Sequence, residues 1–405
     1  MGLAPVTERE RIVSLDVIRG FAVLGILAVN AAYFAAPWQN AFNPSLPPLG
    51  ISGDSLWSWF GMHVFFEQKC ITLFSMLFGA SIYMIGAERS DKERGAVLRR
   101  RLLWLIAIGL VHGLLIWFGD ILFAYALTGL LVLLCRSWRP RTLMIVGVLV
   151  FALAIAFERM AGLMLSMLPP EEMARITAEI WAPPPEQLAR IIAAYQAGWL
   201  SATQENIASW VWLQANALPI LIPRTFGAML IGMALLKWGF LRGQSPTWLY
   251  ALMAALGAGA LAVIAWQANA HAADGFTFDD FMGAGGLANV ALTIFVSLAY
   301  ASVLVLLVRA GAKLITGPLA AVGRMAFTNY LTQSLIMTTL FWGGRGFGLF
   351  GELDRPTLMG VVAAIWALQL IWSPLWLSRF EMGPFEWLWR RLSYAAPVRF
   401  IRPTA

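Results

Sequence analysis

About ten apolar runs, most near twenty residues or longer, follow one another along this chain with short polar breaks. They fall at roughly 12–36, 58–86, 99–118, 121–135, 142–165, 207–237, 247–267, 284–309, 318–342 and 357–378. A helix that crosses the hydrocarbon of a bilayer needs about 20 apolar residues, because each backbone N–H and C=O must be paired within the segment. The expected fold class is therefore all-α, a polytopic transmembrane bundle of about ten helices. Composition points the same way. The chain is 60% hydrophobic and 13% charged, whereas a water-soluble domain carries roughly 25% charged residues. Too few polar side chains remain to cover a surface facing water, so the lipid bilayer is the expected surrounding. The first run holds Asp16 and Arg19 and is long for a secretory signal, so it is read as a retained helix.

The net charge of +7 does not point to nucleic acid, because the basic residues sit in short loops between apolar runs. Their distribution sets an orientation instead. Of 29 Lys and Arg, twenty fall in the segments assigned to the cytoplasm (from Arg9 and Arg11 to Arg399 and Arg402). Five fall in the opposite segments (Arg159, Arg175, Arg190, Arg345 and Arg355) and four lie within spans. Both termini are thus expected in the cytoplasm. The chain divides into an N-terminal part, 1–165, an outer loop, 166–206, and a C-terminal part, 207–405. Within the loop, 171–181 and 186–200 show helical spacing between prolines, and Phe380 to Tyr394 reads as an interfacial segment. Cys70 and Cys135 lie inside apolar runs and are expected to pack rather than to bridge or bind metal.

Ionisable groups within spans are costly and mark candidate sites. Asp16 and Arg19, three apart in L-D-x-x-R-G, share a helix face and can pair, and Gly20 and Gly25 admit a close neighbour. His63 and Glu67 are four apart on the second run, with Lys69 beyond them, and Arg224 lies within the sixth. Two ligands do not make a metal site, and no metal is expected. On a straight helix His112 and Asp120, eight residues apart, would share a face but stand about 12 Å apart along the axis, too far to touch. Arg324 precedes Asn329 and Gln333 on one face, and an Arg fork suits phosphate or carboxylate. Each of these groups can equally serve as a structural pin between helices.

Several motifs carry a resemblance. R-x-x-x-L-D-x-x-R-G-F-A-x-x-G-I-L-x-x-N (Arg11 to Asn30) and K-x-x-T-L-F-S-M-L-F-G (Lys69 to Gly79) resemble the first helices of the YeiB family of bacterial inner-membrane proteins. H-G-L-L-I-W-F-G-D-I-L-F-A-Y (His112 to Tyr125), G-R-M-A-F-T-N-Y-L (Gly323 to Leu331) and G-P-F-E-W-L-W-R (Gly383 to Arg390) are similar to that family too. The part from about 225 to 395 resembles that family's domain of unknown function. The first motif also resembles transmembrane acyltransferases, among them the heparan-glucosaminide N-acetyltransferase group and envelope O-acetyltransferases. That resemblance implies acyl-CoA entering from the cytoplasm, an acceptor acylated from the far side, and a catalytic histidine in the membrane domain. Residues flanking His112 and His63 differ from those around that histidine, so the motif does not choose between them.

Two functional expectations follow. In the first, a membrane-embedded acyltransferase, Asp16, Arg19 and Arg324 form the acyl-CoA site, with the two arginines holding the phosphates. His112 with Asp120 acts as base, Lys69 or Asn30 steadies the oxyanion, and Asn30, His63, Glu67, Arg224, Asn329 and Gln333 bind the acceptor. In the second, the same polar groups line the path of a transporter or exporter for a small polar or anionic solute. A weaker third reading is a structural partner of another envelope enzyme. The first requires Arg19, Lys69, His112 and Arg324 to meet in one chamber. The sequence leaves the oligomeric state open.

Overall fold

The structure, a computed structural model, describes residues 11–402 apart from 166, 281–285, 395–396 and the side chain of 279. Arg9 thus lies outside the described residues. The described chain is all-α, with one isolated antiparallel bridge between Phe380 and Ile401.

The N-terminal part holds α1 (Val13–Ala35), α2 (Gln39–Phe42), α3 (Asp54–Phe65), α4 (Lys69–Gly86), α5 (Lys92–Val111), a π turn (His112–Ile116), α6 (Leu122–Cys135) and α7 (Pro140–Leu165). The segment expected to be an outer loop forms α8 (Pro170–Ile180) and α9 (Pro185–Ala197), each with proline in its first turn, where the missing N–H costs nothing. The C-terminal part holds α10 (Trp199–Lys237), α11 (Thr247–Ala273), α12 (Phe278–Asp280), α13 (Leu287–Ala291) and α14 (Thr293–Arg309). It continues with α15 (Lys313–Arg324), α16 (Ala326–Phe341), α17 (Arg355–Arg379) and α18 (Pro384–Tyr394).

Six stretches among the described residues are long and apolar enough to cross a membrane: α1, α3 with α4, α7, α10, α11 and α17. Helices α6 and α14 are apolar but shorter. Length and composition therefore do not establish the expected ten. Four of the expected runs are interrupted, the eighth at Leu292 between α13 and α14. The second breaks at Phe66–Gln68, where Gln68 adopts φ 66°, a left-handed value unusual for a residue with a Cβ. The third ends in the π turn, and the ninth breaks at Met325 between α15 and α16.

Burial separates centre from rim. In α1, 72% of the apolar window is buried, against 22% in α7 and in α11. Helix α1 is thus the central post, and α7 and α11 present most of their side chains outward. Exposed Leu153 and Phe157 on α7 and Trp266 on α11 show that these outward faces remain apolar, as a helix facing lipid requires.

Where lipid and helix surfaces are equally apolar, close packing rather than water exclusion holds helices together. Glycines supply it at two contacts. A Cβ on Gly20 of α1 would lie 2.0 Å from the Leu319 carbonyl oxygen of α15, and one on Gly323 would lie 1.8 Å from the Asp16 oxygen. Helices α4 and α10 meet likewise, Gly79 against the Met229 carbonyl and Gly232 against that of Met76. Replacing Gly232 with valine must push two backbones apart, an overpacking cost of about 3 kcal/mol or more. Gly259, with open space around it, accepts alanine without loss. Melting of the two purified variants in detergent should show a large drop for Gly232→Val and none for Gly259→Ala.

Candidate functional site

Helices α1, α4, α5, α6, α15, α16 and α18 surround a chamber of about 250 Å³. Its long wall is apolar, with Val23, Ile26, Phe74, Phe78, Leu102 and Leu105 among the lining residues. Five arginines also line it: Arg11, Arg19, Arg101, Arg324 and Arg390. Against them stand two carboxylates, Asp16 and Glu386, so the lining carries a formal excess of three positive charges (five less two).

Neither carboxylate has capacity to neutralise that excess. Asp16 receives Arg19 Nη1 at 2.9 Å and faces Arg11 at 3.7 Å, so the i,i+3 pairing expected from L-D-x-x-R-G is formed. Arg19 also reaches Ser81 Oγ at 3.4 Å. Glu386 is spent on the start of α16. Its carboxylate accepts from Phe327 N at 2.7 Å, Thr328 N at 3.0 Å and Thr328 Oγ1 at 2.5 Å. These are N–H groups of a first helical turn, which lack partners inside the helix. The two motifs G-R-M-A-F-T-N-Y-L and G-P-F-E-W-L-W-R are thus halves of one contact. Arg324 donates to the Glu381 carbonyl at 3.2 Å. Arg101 lies over the Trp389 ring at 3.9 Å, and the indole of Trp389 donates to the Arg101 carbonyl at 2.9 Å. The Arg101 Nε is buried and bonded to nothing among the described residues. On α18, burial and then neighbouring Arg11 push the Arg390 guanidinium below its usual value, as expected where cations outnumber anions.

Tyr330 and Ile121, joined by a 3.4 Å bond from Ile121 N to the Tyr330 hydroxyl, line the chamber together. The Tyr330 ring packs at 5.4 Å from that of His112, and behind it lies a second polar group. His112 Nδ1 stands 2.8 Å from Asp120 Oδ1, and His112 Nε2 stands 2.9 Å from Ser334 Oγ. The second Asp120 oxygen accepts from Phe123 N at 2.8 Å. All three are almost fully buried, His112 and Ser334 at 1% exposure and Asp120 at 3%. The expectation that His112 and Asp120 could not touch is overturned. It assumed a straight helix, whereas the π turn ends α5 at His112 and the chain doubles back through Trp117–Ile121 into α6.

The remaining candidates lie elsewhere. Lys69, 0% exposed, opens α4 behind the helix break and donates to the His63 carbonyl at 2.7 Å and to Asn289 Oδ1. It is not on the chamber wall, and its partners are neutral oxygens. His63 pairs with Glu67 and stacks on Trp59. Arg224 joins Gln68 and, at 3.6 Å, Glu158. Asn329 and Gln333 tie α16 to α17 through Ser373, Trp372 and Gln369. Asn30 is half-buried on α1. The expected meeting of four groups in one chamber therefore holds for Arg19 and Arg324, stops one side chain short of His112, and fails for Lys69. Sequence reasoning missed Arg101 and Arg390, which read as loop and interfacial charges, and Glu386, whose place in an apolar G-P-F-E-W run was the available signal. It also missed the pairing of His271 with Asp280.

Comparison with known proteins places this architecture. The chain is 32% identical to the uncharacterized protein YeiB of Escherichia coli (strain K12), over 98% of this chain and all of that protein. It is also 32% identical to the uncharacterized protein YxaH of Bacillus subtilis (strain 168), over 97% and 96% of the two chains. The chain belongs to the YeiB family. A 39.9 kDa protein encoded in the amylase 3' region of Bacillus acidopullulyticus is 28% identical to it over 96% of each chain. The family model described as protein of unknown function (DUF418) matches residues 235–396. No solved structure matches the chain. The DUF418 match takes in Arg324, Tyr330, Ser334, Glu386 and Arg390, whereas Asp16, Arg19, Arg101, His112 and Asp120 precede it. Both the chamber and the histidine group are thus built from the two parts of a YeiB-family chain.

Burial raises the Glu386 carboxyl above its usual value of 4.5, outweighing the hydrogen bonds that pull it down. A raised folded-state value means that the native state holds this proton more tightly than the unfolded chain does. The stabilisation is then complete below 4.5 and is lost as pH rises through the folded-state value. Melting temperature in detergent should therefore fall as pH rises above 4.5 in part through this group, and Glu386→Gln should flatten that part of the profile. Glu386→Ala, which strips the α16 cap, should cost about 1–3 kcal/mol at every pH.

Proposed function

We propose that the protein is a membrane-embedded acyltransferase whose chamber receives acyl-CoA. The observation that carries this reading is the lining: five arginines, two engaged carboxylates and a long apolar wall. Such a surface suits a ligand with an anionic head and an apolar arm. Arginine is suited to phosphate because its planar fork donates two hydrogen bonds to neighbouring oxygens. Arg101 and Arg390 have no carboxylate within ion-pair distance among the described residues and are available for this role. The acyl arm would lie along Phe74, Phe78 and Leu102 towards Tyr330, with His112 and Asp120 beyond as the base and the group that orients it.

In this reading the protein sits in the bacterial cytoplasmic membrane with ten crossings and both termini in the cytoplasm. The twenty-to-five bias of basic residues supports that orientation. The part of the chamber lined by the start of α1 and by α18 then lies towards the cytoplasm, where acyl-CoA is available. The acceptor is an envelope or extracytoplasmic molecule reaching the histidine from the other side.

A second reading, export of a small anionic solute, draws on the break at Phe66–Gln68, since discontinuous helices with buried polar groups mark transporter sites. Proteoliposomes separate the two. Solute uptake without coenzyme favours transport, whereas acceptor-dependent release of thiol from acetyl-CoA favours acyl transfer.

Wild-type protein in nanodiscs should bind labelled acetyl-CoA saturably. Arg101→Gln and Arg390→Gln should each raise Kd about tenfold, the value of one charge-assisted hydrogen bond. Added salt should weaken wild-type binding more than that of either variant. Absence of saturable binding together with absence of acceptor-dependent turnover overturns the proposal.

A further inference from the structure

Ser334 completes a chain of contacts that the acyltransferase reading does not require. Its Oγ stands 2.9 Å from His112 Nε2, and His112 Nδ1 stands 2.8 Å from Asp120 Oδ1. An ionised Asp120 can only accept, so in a neutral imidazole the proton is on Nδ1. Nε2 is then the acceptor, and the Ser334 hydroxyl donates to it at 2.9 Å in preference to the Tyr330 carbonyl at 3.4 Å. This is the connectivity that activates a serine: hydroxyl to base, base to orienting carboxylate. Phe123 N anchors the far oxygen of that carboxylate at 2.8 Å, so the imidazole is held in one orientation.

Two further donors flank the group. The indole N–H groups of Trp117 and Trp210 are buried and have no acceptor among the described residues. Trp117 stands with its ring 6.3 Å from the imidazole. Trp210 lies against Gly113, where an added Cβ would come within 2.2 Å of its Nε1. Buried donors are normally satisfied, and Trp117, the orphan whose ring neighbours the imidazole, suits an oxygen that carries charge only during reaction. The Tyr330 ring stands between the chamber and the histidine group, so it must swing aside for a thioester to reach Ser334. Tyr330, one turn before Ser334 on α16, lines the chamber and packs on His112.

We infer that Ser334 is a nucleophile that carries the acyl group as a covalent ester between donor and acceptor. This rests on the acyltransferase reading above. In the first half, Ser334 Oγ attacks the thioester carbonyl and its proton passes to His112 Nε2. The C–S bond then breaks, and the leaving thiolate takes that proton, giving acyl-serine and free thiol. In the second half, an acceptor hydroxyl or amine attacks the ester while His112 takes its proton. The C–O bond to Ser334 breaks, and His112 returns the proton to Oγ. The Trp117 indole donates to the carbonyl oxygen as it becomes an oxyanion.

Full-length protein in nanodiscs is incubated with [14C]acetyl-CoA without acceptor, and separately with a fluorophosphonate probe. The expected result is one equivalent of thiol released in a burst and one acetyl group on the Ser334 peptide. Ser334→Ala should abolish the label. Ser334→Cys should give a label that neutral hydroxylamine removes, and His112→Gln should slow acylation about hundredfold. The fluorophosphonate should modify Ser334 in wild type. Acetyl-CoA turnover that needs acceptor, with no burst and no acetyl-serine, overturns the nucleophile while leaving acyl transfer standing. If acetyl-CoA neither binds nor reacts, the underlying reading fails, and the fluorophosphonate decides on Ser334 by itself. An unmodified Ser334 then refutes the inference.

Discussion

The bare-backbone contact between α1 and α15 sets the geometry on which the candidate site depends. Gly20 and Gly323 let the two helices approach until the carbonyls of Leu319 and Asp16 fill the space where side chains would stand. Asp16 and Arg19 leave α1 beside this contact, and Arg324 follows Gly323 by one residue. A closer crossing than ordinary side chains permit therefore brings three charged groups to one wall. An apolar surrounding makes unpaired charge expensive, which is why Asp16 is wedged between Arg11 and Arg19. That the same wall nonetheless leaves cations in excess is the strongest physical argument for an anionic visitor.

Much of the helical framework was legible because its signal is length. A run of apolar residues long enough to cross hydrocarbon forms a helix whatever it packs against. Proline placement similarly announced α8 and α9, and the i,i+3 spacing announced the Asp16–Arg19 pair. The interruptions were not legible. Gln68 in a left-handed conformation, the π turn at His112 and the break at Met325 are tolerated because tertiary neighbours supply bonds that the straight helix would have made. Lys69 against the His63 carbonyl and Glu386 against the first N–H groups of α16 are two such cases. No local pattern in the chain encodes partners that lie 59 residues away, as Glu386 does from Phe327.

The polar residues in the spans divide by what they bond. Asn329, Gln333, Gln369 and Trp372 bond mostly to one another and to backbone, so they fix α16 against α17. The arginines of the chamber bond to few groups, and the histidine group bonds inward to a hydroxyl and a carboxylate. Ser334 gave no warning in the sequence, being one hydroxyl among several on α16. All three hydroxyls of Thr332, Ser334 and Thr338 reach a carbonyl of their own helix, and only the approach of α16 to the π turn gives Ser334 the imidazole besides.

The π turn itself has a consequence for how this region tolerates change. A π turn accommodates one residue more than an α turn spanning the same hydrogen-bonded step. Each residue of a regular helix advances the chain by about 100° around the axis and 1.5 Å along it. Losing any single residue between His112 and Ile116 would let the helix regularise and swing the following hairpin by that angle. Asp120 would then point away from the imidazole even though every side chain of the relay was still present. The spacing of this segment is therefore guarded by its residue count, and not only by the identities of the residues that occupy it.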